Sequence, residues 1–327
     1  MSEFIPTFAT VCNAAETLKG HAAKTPLLEA PALNELLGCR LFLKAEMLQK
    51  TGSFKFRGAF NAISKLTEMQ KENGVFAYSS GNHAQGIALA AKMMGVNATI
   101  LMPEDTPAIK IENTKGYGAK VLNYDRYTES REEIGEAICR KENLTLIKPY
   151  DNKNVISGQG TVGLEIIAQL AELGLKADCI AAPCGGGGLL SGISLAVGTN
   201  SPSTEIFAAE PEHFDDTARS LASGERVGNT GDHKSLCDAI MTPMPGEITF
   251  PILSAIKARG LVVTESEVAE AVRAAYHHFK IIIEPGGAVA LAAFLSRKTE
   301  IKGKVIVAVG SGGNIDPALF ARLLQSK

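Results

Sequence analysis

The sequence predicts an α/β protein: two open twisted sheets flanked by helices. Three observations carry this. Short β-branched or apolar runs recur along the chain, amphipathic stretches of helical length lie between most of them, and glycine clusters come directly after several of the runs. Strand and helix in alternation imply parallel sheets covered on both faces.

The runs that read as strands are, in order, 41–45, 75–78, 98–102, 120–124, 145–147, 178–183, 205–209, 261–264 and 305–309. The helical stretches include 84–94, 130–142, 161–173 and 266–280. The alternation is tightest around 73–150, which therefore reads as a small substrate-side domain. Residues 1–72 and 151–327 remain for a large domain. Ligands of open α/β sheets sit beyond the carboxyl ends of strands, so the turn after each strand is the informative feature.

Composition narrows the function before any motif is considered. The 327 residues carry 33 Lys plus Arg against 35 Asp plus Glu, a formal net charge of −2. A near-neutral chain argues against nucleic acid or an anionic membrane as partner. No apolar stretch approaches the ~18 residues of a membrane span, and the start lacks a secretory pattern, so a cytoplasmic protein is expected. The six cysteines form no CxxC pair and read as reduced thiols, four of them within apolar runs. Glycine is in surplus, 32 residues where average usage gives ~23.

Four segments carry that surplus or sit beside it. After the run 178–183 comes Cys184 and then Gly185, Gly186, Gly187 and Gly188, opening a helix. Residues without Cβ let backbone N–H groups converge on an oxyanion at a helix N-terminus, which makes a phosphate cradle; a tight packing turn is the plain alternative. Ser79, Ser80, Gly81, Asn82 and His83 come after the run 75–78 and offer hydroxyls, an amide and free N–H groups to a carboxylate, or an ordinary N-cap. Lys55 lies between Phe54 and Phe56 with Arg57 close by. Desolvation and a neighbouring cation would both lower its pKa, although most lysines are simply solvated. Ser311, in Gly310-Ser311-Gly312-Gly313-Asn314 after the run 305–309, places a hydroxyl on a compact turn. A nucleophilic lysine, a phosphate cradle, a carboxylate loop and a hydroxyl together describe a site for pyridoxal phosphate and an amino acid.

Here the chain resembles the fold-type II pyridoxal-phosphate enzymes (tryptophan synthase β-like), specifically the serine/threonine dehydratase and serine racemase family. The segment Ser53-Phe54-Lys55-Phe56-Arg57-Gly58, the loop 79–83, the glycine cradle and the turn 311–314 occur in the family's order, over nearly the whole length. The resemblance implies a large domain that binds the cofactor and a covalent link to it through Lys55. It further implies that Phe54 packs on the ring and Asn82 bonds its phenolic oxygen. Gly185, Gly186, Gly187 and Gly188 would hold the phosphate, Ser311 would face the ring nitrogen and Glu284 would lie nearby. Ser80 matches the position that acts opposite the lysine in racemases, so Lys55 and Ser80 are the catalytic candidates. Ser79, Ser80, Gly81, Asn82, His83 and Arg131 are the substrate-binding ones. Arg131 would suit a second substrate carboxylate, or be a surface charge partner.

Glu210 and Asp216, with the main-chain carbonyl of Phe214, resemble the family's Mg²⁺ or Ca²⁺ site; a solvated acidic helix start is the alternative. Tyr150-Asp151 and the stretch 236–243 depart from the racemase pattern and border the expected substrate side chain. The activity implied is β-elimination of a 3-hydroxy amino acid, such as threonine, serine or 3-hydroxyaspartate, to a keto or imino acid and ammonia. An amino-acid racemase is the rival, and a non-catalytic sensor of a phosphate ligand a more distant one. A homodimer is expected.

Overall fold

The computed structural model describes residues 5–79, 81–106, 108–125 and 127–325. Among the described residues, ten strands form two sheets: β1 (Leu27–Glu29), β2 (Arg40–Ala45), β3 (Val75–Tyr78), β4 (Ala98–Pro103), β5 (Lys120–Tyr124), β6 (Thr145–Leu146), β7 (Cys179–Pro183), β8 (Glu205–Pro211), β9 (Arg259–Val263) and β10 (Val305–Gly310). Every run read as a strand forms one, with ends displaced by at most two residues. The addition is β1, which pairs antiparallel with β2.

The larger sheet runs β1-β2-β10-β7-β8-β9 and the smaller β5-β4-β3-β6, all their other pairings being parallel. Side-chain alternation shows why the strands read as continuous apolar runs. Leu41, Leu43, Cys179, Ala181, Phe207, Ile306 and Ala308 point into one core, shared with helix Pro285–Leu295, which is buried from Pro285 to Phe294. Phe42, Ile180, Ala182, Ile206, Val307 and Val309 point into a second core, against helices Lys153–Glu172 and Gly188–Asn200. Both faces are covered. In the smaller sheet Val75, Ala77, Ile100 and Met102 join the buried side chains of helices Lys55–Ser64 and Asn82–Met93, while Phe76, Leu101 and Tyr124 pack on the other side.

Helix Lys153–Glu172 starts eight residues before the periodic stretch 161–173. Asn152 caps it, its Oδ1 accepting from Asn154 N (2.9 Å) and Val155 N (3.1 Å). Its glycines are close-approach points rather than breaks. A Cβ on Gly158 would lie 2.6 Å from Arg57 O, and one on Gly160 would lie 2.8 Å from Gly192 O. Helices Lys55–Ser64, Lys153–Glu172 and Gly188–Asn200 therefore stack at backbone distance, which fixes the start of the first relative to the start of the third. Those two starts carry Lys55 and the glycine cradle.

Candidate active site

Lys55 opens its helix from a backbone anchored to the turn after β10. Ser53 bridges to Gly312, and Phe54 N donates to Ser311 O at 3.1 Å. Helix Asn82–Met93 presses on the same point, since a Cβ on Gly86 would meet the Lys55 carbonyl carbon at 3.1 Å. Lys55 Nζ donates to Pro149 O at 2.8 Å and sits 5.2 Å from the Phe54 ring centroid. Burial lowers its amine to about 8. The expected contribution of Arg57 to that shift is absent. Arg57, buried at 1% exposure, turns the other way, with Nε on Glu46 Oε2 (2.8 Å) and Nη1 on Glu165 Oε1 (2.6 Å). Lys44 completes this buried network through Glu165. The arginine of the motif thus holds the helix in place, and desolvation alone tunes the lysine.

Asn82 is the first residue of the helix after β3 and is buried. Its Nδ2 donates to Glu284 Oε1 at 2.6 Å and its Oδ1 accepts from Asn314 Nδ2 at 2.7 Å. Gly81 N donates to Ser79 Oγ at 3.2 Å, folding the loop over the helix start. Ser80 lies outside the described residues. His83 is buried rather than solvated. It donates through Nε2 to Ile147 O (2.9 Å), and its Nδ1 has no hydrogen-bond partner. Burial and the nearby Lys55 charge push its pKa down to about 3, so the ring is neutral.

After β7 the chain turns through Gly187 at φ 88°, a left-handed conformation suited to glycine, into helix Gly188–Asn200. Gly186 O accepts from Thr249 Oγ1 (2.6 Å) and Gly246 N (3.2 Å). Among the described residues, no main-chain carbonyl accepts from the N–H groups of Gly185 to Gly188. They are free donors at a helix N-terminus. Tyr150 closes the other side: a Cβ on Gly186 would collide with its ring. No side chain other than hydrogen fits there.

Glu284 precedes helix Pro285–Leu295, and burial raises its carboxyl to about 7 against the pull of the Asn82 amide. A Cβ on Gly312 would run into Glu284 Oε1 and press on Asn82 Nδ2 at 3.0 Å, so glycine at that point leaves room for the bonded Asn82–Glu284 pair. Ser311, 5% exposed, lines the same cleft. The cleft holds about 180 Å³ and is also lined by Phe54, Lys55, Ser79, Gly81, Asn82, His83 and the four glycines. At its wall stands Arg131, its Cζ 5.1 Å from the Tyr78 ring centroid and its Nε on Glu132 Oε1 at 2.8 Å. Tyr150 and the 238–243 segment, legible in the sequence only as departures from the racemase pattern, are lining residues too.

Glu210, near the end of β8, and Asp216, at the start of the following helix, lie apart from this cleft. Glu210 caps helix Asp216–Ser223, accepting from Thr217 N (3.0 Å) and Ala218 N (2.7 Å). Asp216 Oδ1 accepts from Asn229 Nδ2 (2.7 Å), while its buried Oδ2 has no partner. Burial and the Asp216 charge push Glu210 well above the usual carboxylate range. Burial raises Asp216 to about 6.

The sequence pattern of the family described as "Pyridoxal-phosphate dependent enzyme" matches residues 18–312. The chain belongs to this family. Within it, the L-threo-3-hydroxyaspartate ammonia-lyase of Saccharomyces cerevisiae is 41% identical, over 99% of this chain and 98% of its own. The serine racemase of Schizosaccharomyces pombe is 40% identical, over 98% of each. Among solved structures, maize serine racemase superposes with a TM-score of 0.91 at 35% identity, covering 98% of this chain and 97% of its own. The family's cofactor suits what the cleft offers: four unpaired N–H donors that a Cβ would obstruct, a desolvated lysine, and a hydroxyl on the turn after β10.

Proposed function

We propose that this protein is an ammonia-lyase that eliminates the β-hydroxyl of a 3-hydroxy amino acid, with 3-hydroxyaspartate as its preferred substrate, to give a keto acid and ammonia. The observation that carries this is a desolvated Lys55 in one cleft with a free phosphate cradle and an arginine able to take a second carboxylate.

Pyridoxal phosphate, when bound, supplies a sink for the electrons released at the substrate Cα. Gly185 to Gly188 would hold its phosphate, Lys55 its aldehyde carbon, Phe54 one face of the ring and Asn82 the phenolic side. The Ser311 hydroxyl would face the ring nitrogen and, being no acid, would leave it unprotonated, which would favour loss of a β-leaving group over amino transfer. The loop of Ser79, Ser80, Gly81, Asn82 and His83 binds the α-carboxylate with N–H groups and hydroxyls. Once the substrate amine has displaced it from the aldehyde carbon, the freed Lys55 Nζ, near 8, would take the Cα proton. Its desolvation keeps part of the population neutral at physiological pH.

Relatives named serine racemase support a second reading, in which Ser80 and Lys55 work as two bases on opposite faces of Cα. The partnerless buried Oδ2 of Asp216 beside Glu210 supports a Mg²⁺ or Ca²⁺ held by Glu210, Asp216 and the Phe214 carbonyl. The four-stranded sheet within 73–150 supports the small domain, with 1–72 and 151–327 as the large one. Six unpaired cysteines suit the reducing cytoplasm, and family resemblance suggests a homodimer.

A keto-acid assay over threonine, serine and the four stereoisomers of 3-hydroxyaspartate tests the reading. The highest kcat/KM is expected with one hydroxyaspartate isomer; no keto acid from any of them would overturn it. Appearance of the mirror-image serine would mark racemisation.

A further inference from the structure

The cleft carries an ion pair that the elimination chemistry does not use. Lys110, on helix Ala108–Gly116 after β4, donates from Nζ to Asp238 Oδ2 at 2.7 Å. Asp238 begins the short turn Asp238–Ile240, whose Ile240 backbone lies against Gly185 of the phosphate cradle. The pair therefore spans the cleft between the helix after β4 of the small sheet and the turn that abuts the cradle. Both residues line the cleft, and both act electrostatically on Glu284 beside Asn82.

The two partners are unequally wet. The Lys110 side chain is 17% exposed and that of Asp238 58%. A largely buried ammonium must keep an anionic partner, whereas a carboxylate open to water loses little on release. We propose that Lys110 is a specificity-determining residue that exchanges Asp238 for the distal carboxylate of a dicarboxylic hydroxyamino acid. This rests on the proposed lyase activity and names the side chain that selects its substrate class. Threonine and serine have no second carboxylate, so with them the Lys110–Asp238 pair stays closed. With 3-hydroxyaspartate the ammonium stays paired throughout, and Asp238 turns to solvent. Arg131, whose Nε is held by Glu132, lines the same cleft as a second cation.

The test is a ratio: kcat/KM for 3-hydroxyaspartate over kcat/KM for threonine. In Lys110→Gln the ratio falls by roughly tenfold or more, and Lys110→Arg restores part of it. Asp238→Asn removes the competing carboxylate and raises the ratio above that of the wild type. A pair that merely latches the cleft would slow both substrates together, and an unchanged ratio in both Lys110→Gln and Asp238→Asn overturns the inference. Wild-type enzyme inert toward 3-hydroxyaspartate would instead overturn the lyase reading, and this inference with it.

Discussion

Asn82 Nδ2 donates to Glu284 Oε1 at 2.6 Å, joining the helix after β3 to the helix that packs on the large sheet. Through Glu284, whose N donates to Gly312 O at 3.1 Å, this bond ties the helix that begins at Asn82 to the turn that carries Ser311. Because Glu284 is buried, its carboxyl sits near 7 and folding favours the protonated form. The stability it contributes is whole below its unfolded value near 4.5 and is lost as pH rises through about 7, a span of about 3 kcal/mol. Glu284→Gln keeps an acceptor for Asn82 and cannot ionise. Urea midpoints measured between about pH 5 and about pH 8 should move progressively in favour of the variant. A gap that does not change with pH contradicts this.

Lys55 should react with added pyridoxal phosphate, in cofactor-free enzyme, as an amine of pKa about 8. The rate of cofactor uptake, followed by absorbance, should rise and level off above about pH 8. A continued climb toward pH ~10 is the behaviour of an ordinary solvated lysine and would contradict the desolvated geometry.

Gly186→Ala forces a methyl into the Tyr150 ring. Fluorescence titration should show a Kd for pyridoxal phosphate raised by about tenfold or more. Tyr150→Ala on that background should recover part of the loss, because the clash is with that ring. Independent, additive effects of the two changes would show that the ring is not the obstacle.

Mg²⁺ or Ca²⁺ at millimolar concentration should raise Tm, and a chelator should reverse it, since a ligand that binds only the native state stabilises it. Asp216→Asn should lose most of that response while remaining folded. An equal response in the variant would remove Glu210, Phe214 and Asp216 as the cation site.

The sheets were legible because strands buried on both faces leave unbroken apolar runs. β1 was not, being three half-buried residues beside Pro26 and Pro31. The start of helix Lys153–Glu172 was hidden because Gly158 and Gly160 look like loop residues until their neighbours across the helix seams are known. The lysine, the cradle and the Ser311 turn could be read from residue type and order alone. Arg57 could not: adjacency to Lys55 suggested charge tuning, whereas its partners Glu46 and Glu165 are 11 and 108 residues away in sequence. Lys110 and Asp238, 128 residues apart, likewise carry no local signal of their contact.

The proposed function makes Lys55 the amine on which cofactor and catalysis depend, and Lys55→Ala tests this most directly. The variant is purified with excess pyridoxal phosphate, dialysed, and assayed for visible absorbance and keto-acid release. Loss of the lysine-linked absorbance together with loss of turnover is expected, in a protein whose circular dichroism is unchanged. Retained turnover would contradict it.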